Sequence, residues 1–291
     1  MSLNLNEEQI VQAVMNVLQN MNIGTEETAS IAESVSDDQL EDIMATNEQD
    51  LCLIDDPLKR DELLALKKFT PARTLTGRVG VRDKTLTMFR KNANLAAMVD
   101  AVWKPLNRKY AESFGYPMLK SLPNSKEEYL MRPDLGRLLE DESLDYVRTK
   151  LKKNPQVQIV LGEGQSNDAF EQGMGELLPA LIQGLEANNI DYGTPVFVEY
   201  TRIGIGDLIA QEVGAKAVCV ILGERPGLLT WRSLGCYMTY NPKVDVLESK
   251  RTCVSNIQDD GGTPPAEAGA YIADLIKKIL QEEKSGDDLI L

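Results

Sequence analysis

Apolar positions along the chain fall into two regimes. Up to about residue 150 they recur at helical spacing; from Asn154 onward they come as short unbroken runs separated by helical stretches. In residues 7–21, EEQIVQAVMNVLQNM, a single stripe holds Ile10, Val11, Val14, Leu18 and Met21, with Asn6 as N-cap and Gly24 past the end. Residues 25–56 contain no Trp, Tyr or Phe and are dominated by acids, Ser and Thr, the composition of a flexible tether. A weakly amphipathic helix over 31–44 is its only periodic feature. Residues 57–150 read as helical. One helix opens at Pro57 and runs toward Lys68, a second spans Thr85–Val102, and a third occupies Arg132–Lys150, entered through Arg132-Pro133-Asp134.

The later runs have the shape of buried strands: VQIVL at 157–161, PVFVEY at 195–200 and KAVCVIL at 216–222, followed by CYMTY at 236–240 and TCVSNI at 252–257. Helices are expected around Met174–Ala187, Asp207–Val213 and Pro265–Gln281, the last with prolines suited to a first turn. Strands alternating with helices predict an α/β fold: a doubly wound, Rossmann-like, mostly parallel sheet with helices on both faces. The expected division is an amphipathic helix plus acidic tether over 1–56, a small helical domain over 57–150 and the sheet domain over 151–291. Such sheets bind ligands beyond the carboxyl ends of their strands. That singles out the loops Gly162–Asp168, Thr201–Gly206, Gly223–Leu228 and Ser255–Thr263.

Composition narrows the chemistry. At 43% hydrophobic residues over 291 positions the chain can bury a core, yet no segment approaches the roughly 18 apolar residues of a membrane span. No secretory signal is visible at the N-terminus. Cys52, Cys219, Cys236 and Cys253 are scattered without a C-x-x-C pair, which argues for reduced thiols in a cytosolic setting rather than a metal knuckle. Histidine is absent. That excludes Ser-His and Cys-His nucleophile pairs, imidazole metal ligands and imidazole acid–base work. The net charge of −14 is concentrated at the front, where residues 1–62 hold 15 acids and two bases. A nearly neutral body gives no basic face for nucleic acid. The one basic concentration is the loop Thr70–Lys84 with Arg73, Arg78, Arg82 and Lys84, suited to an anion or an acidic partner surface.

Three motifs carry candidate chemistry. Gly204-x-Gly206 invites a dinucleotide reading, but Ile209 stands where a third glycine belongs. Gly223-Glu224-Arg225-Pro226-Gly227 follows the strongest strand and sets a carboxylate and a guanidinium at a rigid edge. Arg251-Thr252-Cys253 precedes Gly261-Gly262-Thr263-Pro264-Pro265, where glycines allow a ligand close to the backbone. With no histidine nearby, Cys253 is not a nucleophile of the Cys-His kind.

Blocks spread over the chain carry a family resemblance. Tyr129-Leu-Met-Arg-Pro-Asp-Leu-Gly-Arg137, Gly193-Thr-Pro-Val-Phe-Val198, Gly214-Ala-Lys216, Gly223-Glu-Arg-Pro-Gly-Leu228, Arg251-Thr-Cys253, Ser255-Asn-Ile257 and Gly262-Thr-Pro-Pro265 stand in order. Together they resemble the small subunit of ethanolamine ammonia-lyase from about Pro57 to Leu280, and Thr76-Gly-Arg78 fits too. The resemblance implies an adenosylcobalamin-dependent lyase that converts ethanolamine to acetaldehyde and ammonia. In that family a barrel-shaped large subunit holds the catalytic centre, and the small subunit completes the cobalamin site at their interface, in an α6β6 assembly. The cofactor keeps its own dimethylbenzimidazole on cobalt, in keeping with a chain without histidine. Carried over residue by residue, the cobalamin contacts fall on Ile203, where the family commonly has valine, and on Glu224 and Cys253. No catalytic residue is assigned to this chain. The family also works inside bacterial microcompartments, so residues 7–21 are expected to dock on a shell. The competing readings are a nucleotide-dependent oxidoreductase and a non-enzymatic shell adaptor.

Overall fold

The apolar runs rich in Val, Ile and Leu become the centre of one mixed sheet. In the computed structural model, which describes residues 42–70, 72–228 and 230–290, β1 (Arg78–Val79) and β2 (Arg82–Asp83) form a small hairpin. The main sheet contains β3 (Met118–Lys120), β4 (Val157–Gly164), β5 (Val196–Glu199), β6 (Ala217–Gly223), β7 (Leu234–Tyr240) and β8 (Thr252–Ile257). Its order is β3-β5-β4-β6-β7-β8. Neighbours from β3 through β6 are parallel, while β7 is antiparallel to both β6 and β8. The helices are α1 (Arg60–Lys67), α2 (Thr85–Trp103), α3 (Arg108–Ser113), α4 (Lys126–Met131), α5 (Asp141–Lys150), α6 (Asn167–Ala187), α7 (Gly204–Val213) and α8 (Pro265–Glu282).

Every residue of β4 and β6 is buried. That is why these runs show no polar alternation: their side chains enter two different cores. Ile159, Leu161, Cys219 and Ile221 pack with Leu177 and Leu181 of α6 and Ile272 and Ile276 of α8. Val160, Val198, Val218 and Val220 pack with Val147 of α5 and Ile205 and Ile209 of α7. Helices therefore cover both faces. α6 and α8 touch through their backbones: a Cβ on Gly269 would stand 2.4 Å from the Leu177 carbonyl oxygen, and one on Gly184 2.6 Å from the Ala273 Cβ.

Several local expectations are corrected. The helix expected over Arg132–Lys150 is broken: a single 3₁₀ turn at Leu135–Arg137 precedes α5. The Arg132 guanidinium clamps Asp134 through Nε at 3.0 Å and Nη2 at 2.7 Å, closing the Pro133 turn before the helix begins. Residues 57–150 were expected to be helical, yet Met118–Lys120 forms an edge strand beside β5. Three residues are too few for a period-two pattern to register. α6 begins at Asn167 rather than Met174, capped by Ser166, whose hydroxyl accepts from the Ala169 N–H. Within the basic loop, residues 78–83 form a hairpin whose Arg78 and Arg82 are exposed. Arg73 donates from Nη2 to the Leu228 carbonyl at 2.9 Å. The helix expected over 7–21, and most of the acidic stretch behind it, lie outside the described residues. No helix among the described residues is long and apolar enough to cross a membrane.

Candidate functional site

The carboxyl ends of β4, β5 and β6 open a cleft of about 390 Å³, lined among others by Tyr129, Arg137, Arg202, Ile203, Glu224 and Tyr237. The chain is shaped to leave room there. Gly223 ends β6 against the Ser166 carbonyl, so close that a Cβ would stand 1.9 Å from that oxygen. Three of the four loops singled out by the strand pattern reach the cleft through Gln165, Thr201–Gly204 and Gly223–Arg225. The fourth contributes Ser255 and Asn256, which bond the Glu224 carboxylate.

Ile203 occupies the N-cap position of α7 and is half-buried. Glu224 is the first residue beyond β6, held by its N–H to the Ser233 carbonyl at 3.0 Å. Its carboxylate accepts from the Ser255 hydroxyl at 2.6 Å and the Asn256 N–H at 3.2 Å. Among the described residues it has no cationic partner within ion-pair distance. A carboxylate offers about four lone-pair sites, so acceptor capacity remains toward the cleft. Cys253 lies directly opposite Tyr237 in the β7–β8 register and is exposed. It does not line the cleft itself. Tyr237, which lines the cleft, stands between them as the register partner of Cys253. Burial first, then the Cys253 and Glu224 charges, hold that phenol well above its ordinary pKa. Burial, reinforced by Glu224, also pushes the Cys253 thiol up. Cys253 is therefore a neutral thiol near pH 7, not an activated nucleophile. Gly235 makes the arrangement possible: a Cβ there would stand 2.8 Å from Glu224 Oε1 and 2.9 Å from Tyr237 Cε2.

The structure thus brings Ile203 and Glu224 into one cleft and sets Cys253 one strand outward. Sequence reasoning did not single out Tyr129, Arg137, Arg202 or Tyr237 as site residues. Tyr129 and Arg137 bound one of the blocks that carry the resemblance, but their role depends on a long-range contact. Tyr129 donates its hydroxyl to the Thr201 carbonyl at 2.9 Å. Arg202 returns Nη2 to the Tyr129 carbonyl at 2.9 Å and lays its guanidinium 4.2 Å over the Tyr129 ring.

A buried ion pair joins α7 to the start of β8. Arg251, two residues before Cys253, bonds Asp207 in the first turn of α7 through Nη1 to Oδ1 at 3.0 Å and Nη2 to Oδ2 at 2.7 Å. It also donates to Thr239 Oγ1 at 3.1 Å and Glu248 Oε2 at 2.6 Å. Both partners are buried, with side chains 5% and 2% exposed. Gly206 faces the sheet, where a Cβ would stand 2.2 Å from Val220 Cγ2. It serves helix–strand packing, and Ile209 is buried in the core. Of the two-glycine turn, only Gly204 faces the cleft.

As a corrinoid site the cleft fits in kind. It offers a half-buried Ile203, a carboxylate with open acceptor sites for rim amides, and donors from arginine. A family model described as ethanolamine ammonia-lyase light chain (EutC) matches residues 60–290. An ethanolamine ammonia-lyase small subunit from Clostridium tetani is 46% identical over 239 residues, 82% of this chain and 81% of that protein. One from Fusobacterium nucleatum is 40% identical, covering 91% of this chain and 90% of its own length. One from Listeria innocua is 36% identical over 98% of this chain and its full length.

Proposed function

The chain belongs to the ethanolamine ammonia-lyase light-chain family and is a member of an ammonia-lyase complex, and we propose that it supplies one wall of an adenosylcobalamin pocket closed by the large subunit. The observation that carries the reading is the convergence of Ile203 and Glu224 in one open cleft, with Cys253 opposite the cleft-lining Tyr237 in the β7–β8 register. In this reading Glu224 accepts hydrogen bonds from corrin-rim amides, Ile203 gives an apolar contact and Cys253 borders the cofactor's edge. When bound, the cofactor supplies radical chemistry through its cobalt–carbon bond. This chain's residues bind and orient it and, with the partner, keep water out. The Rossmann-like, doubly wound description of the sheet and the division at 56/57 and 150/151 belong to the same reading.

The exposed apolar side chains of α2 support a docking role for the large subunit. Phe89 and Trp103 are 54% and 52% exposed, with Met88, Leu95 and Val99 also open. Scattered apolar exposure is ordinary; five such residues on one helix mark a covered face. Trp103 borders a neighbouring cleft with Arg108, Glu199 and Tyr200 at the same strand ends, so that face adjoins the proposed pocket.

The test is ethanolamine deamination with adenosylcobalamin by this chain, by the large subunit and by the two mixed. Turnover is expected only in the mixture. A folded mixture without turnover would remove the reading in favour of a shell adaptor or a nucleotide-binding protein. Residues 7–21, joined to the body by the acidic stretch, are assigned to shell association in a bacterial microcompartment. Deleting residues 1–24 in the same assay should therefore leave turnover unchanged while abolishing co-sedimentation with shells.

A further inference from the structure

The cleft holds more positive charge than its carboxylates engage. Arg137, Arg202 and Arg225 line it together with Glu224 and Glu248. Glu224 accepts from Ser255 and Asn256 and pairs with no cation within ion-pair distance among the described residues. Glu248 lies 2.6 Å from Arg251 Nε, leaving Arg137 only a long contact of 3.8 Å. Arg202 and Arg225 have no carboxylate within ion-pair distance among the described residues. The Arg202 Nε is buried and makes no hydrogen bond there. A buried guanidinium N–H without an acceptor is costly, on the order of 1–3 kcal/mol, and such a cost persists where a ligand relieves it.

Two of these arginines are held at the same helix end. α7 starts in the cleft at Gly204, and Ile203 at its N-cap has no side chain able to cap it. Arg137 lies across that start, its Cδ and Cγ both 3.4 Å from where a Gly204 Cβ would be. Arg202 precedes it by two residues and is wedged against Gly136, where a Cβ would stand 2.7 Å from its Cγ. The first-turn acid of α7, Asp207, is turned away into the Arg251 pair. Arg137, Arg202 and the positive end of α7 thus line one part of the cleft, where the nearest carboxylate, Glu248, is already held by Arg251. Guanidinium forks match the paired oxygens of a phosphate.

We propose that Arg137 and Arg202, with the N-terminus of α7, form a phosphate subsite that takes the phosphodiester of the corrinoid's nucleotide tail. The assignment rests on the corrinoid reading above and divides the cleft in two. Glu224 and Ile203 meet the corrin rim, and the arginines anchor the tail. The subsite is set by charge and shape, not by the base attached to the phosphate.

Adenosylcobalamin and adenosylcobinamide, which lacks the nucleotide and its phosphate, discriminate the two halves. Each is titrated into the complex of this chain with the large subunit and followed by corrin absorbance. Arg137→Gln and Arg202→Gln are each expected to weaken adenosylcobalamin about tenfold or more, the scale of a lost charge-assisted bond. Adenosylcobinamide affinity should not change. Arg202→Lys should restore part of the loss, and exposed Arg137 provides a variant that leaves the Tyr129 packing alone. Equal weakening of both corrinoids, or of neither, overturns the subsite while leaving the corrinoid reading standing. Binding of 5′-AMP without corrinoid, with the same arginine dependence, assigns the phosphate to a free nucleotide and also overturns it. Failure of the wild-type complex to take up either corrinoid would sink the underlying reading itself.

Discussion

Arg251→Met should lower the stability of the chain by about 3–5 kcal/mol, the largest single-residue effect expected in the molecule. The substitution leaves the Asp207 carboxylate buried, 2% exposed, without its two guanidinium bonds. It also strips donors from Thr239 and Glu248. The fall would be read as a shift of the urea midpoint at unchanged slope. Arg251→Lys keeps the charge but loses the two-point geometry, so its midpoint should lie between wild type and Met. A midpoint for Arg251→Met within error of wild type would show that the pair does not hold the α7 and β8 walls together.

The second large effect falls on the ligand instead of the fold. Glu224→Ala should weaken adenosylcobalamin binding to the complex by about 1.5–3 kcal/mol, roughly ten- to more than a hundredfold. Two losses combine: the acceptor for rim amides, and the organiser that holds the Ser255 hydroxyl and the Asn256 N–H in place. Stability should change little, because Glu224 is part-exposed and serves no ion pair among the described residues. Glu224→Gln keeps one acceptor oxygen and should lose less. Full affinity in Glu224→Ala, measured by the same absorbance titration, would remove Glu224 from the site.

Much of the sheet was legible because its central strands carry a signal that nothing else imitates. Ala217–Leu222 is an unbroken apolar run, and Val157–Leu161 is interrupted only by the buried Gln158, because both of their faces are buried. The loops at their carboxyl ends followed from that direction alone, and three of the four line the cleft. What the pattern hid was set by tertiary contacts. Gly173 and Gly175 look like helix breakers, yet Gly173 sits inside α6, where a Cβ would meet Leu234 Cδ1 at 2.7 Å. The Arg132–Lys150 stretch reads as one helix because the Arg132–Asp134 clamp that ends its first turn is a matter of geometry. Arg202 and Tyr129 belong to the cleft through a contact that spans 73 residues, which no local spacing reports. The resemblance named Ile203, Glu224 and Cys253, but Tyr237, which lines the cleft opposite Cys253, emerges only from the β7–β8 register.

Cys253 offers the most direct test of the central claim, that the partner and the cofactor close over this edge of the sheet. It is exposed, while Cys52, Cys219 and Cys236 are buried, so a maleimide should label one thiol in the isolated, reduced chain. Its raised pKa should make that reaction slower than with a free cysteine. The measurement is the rate of Cys253 labelling in the isolated chain, in the complex with the large subunit, and in that complex with adenosylcobalamin. The pocket reading predicts a marked fall in the complex and near-complete protection once the cofactor is added. Labelling that proceeds at the isolated-chain rate in the cofactor-loaded complex would contradict it.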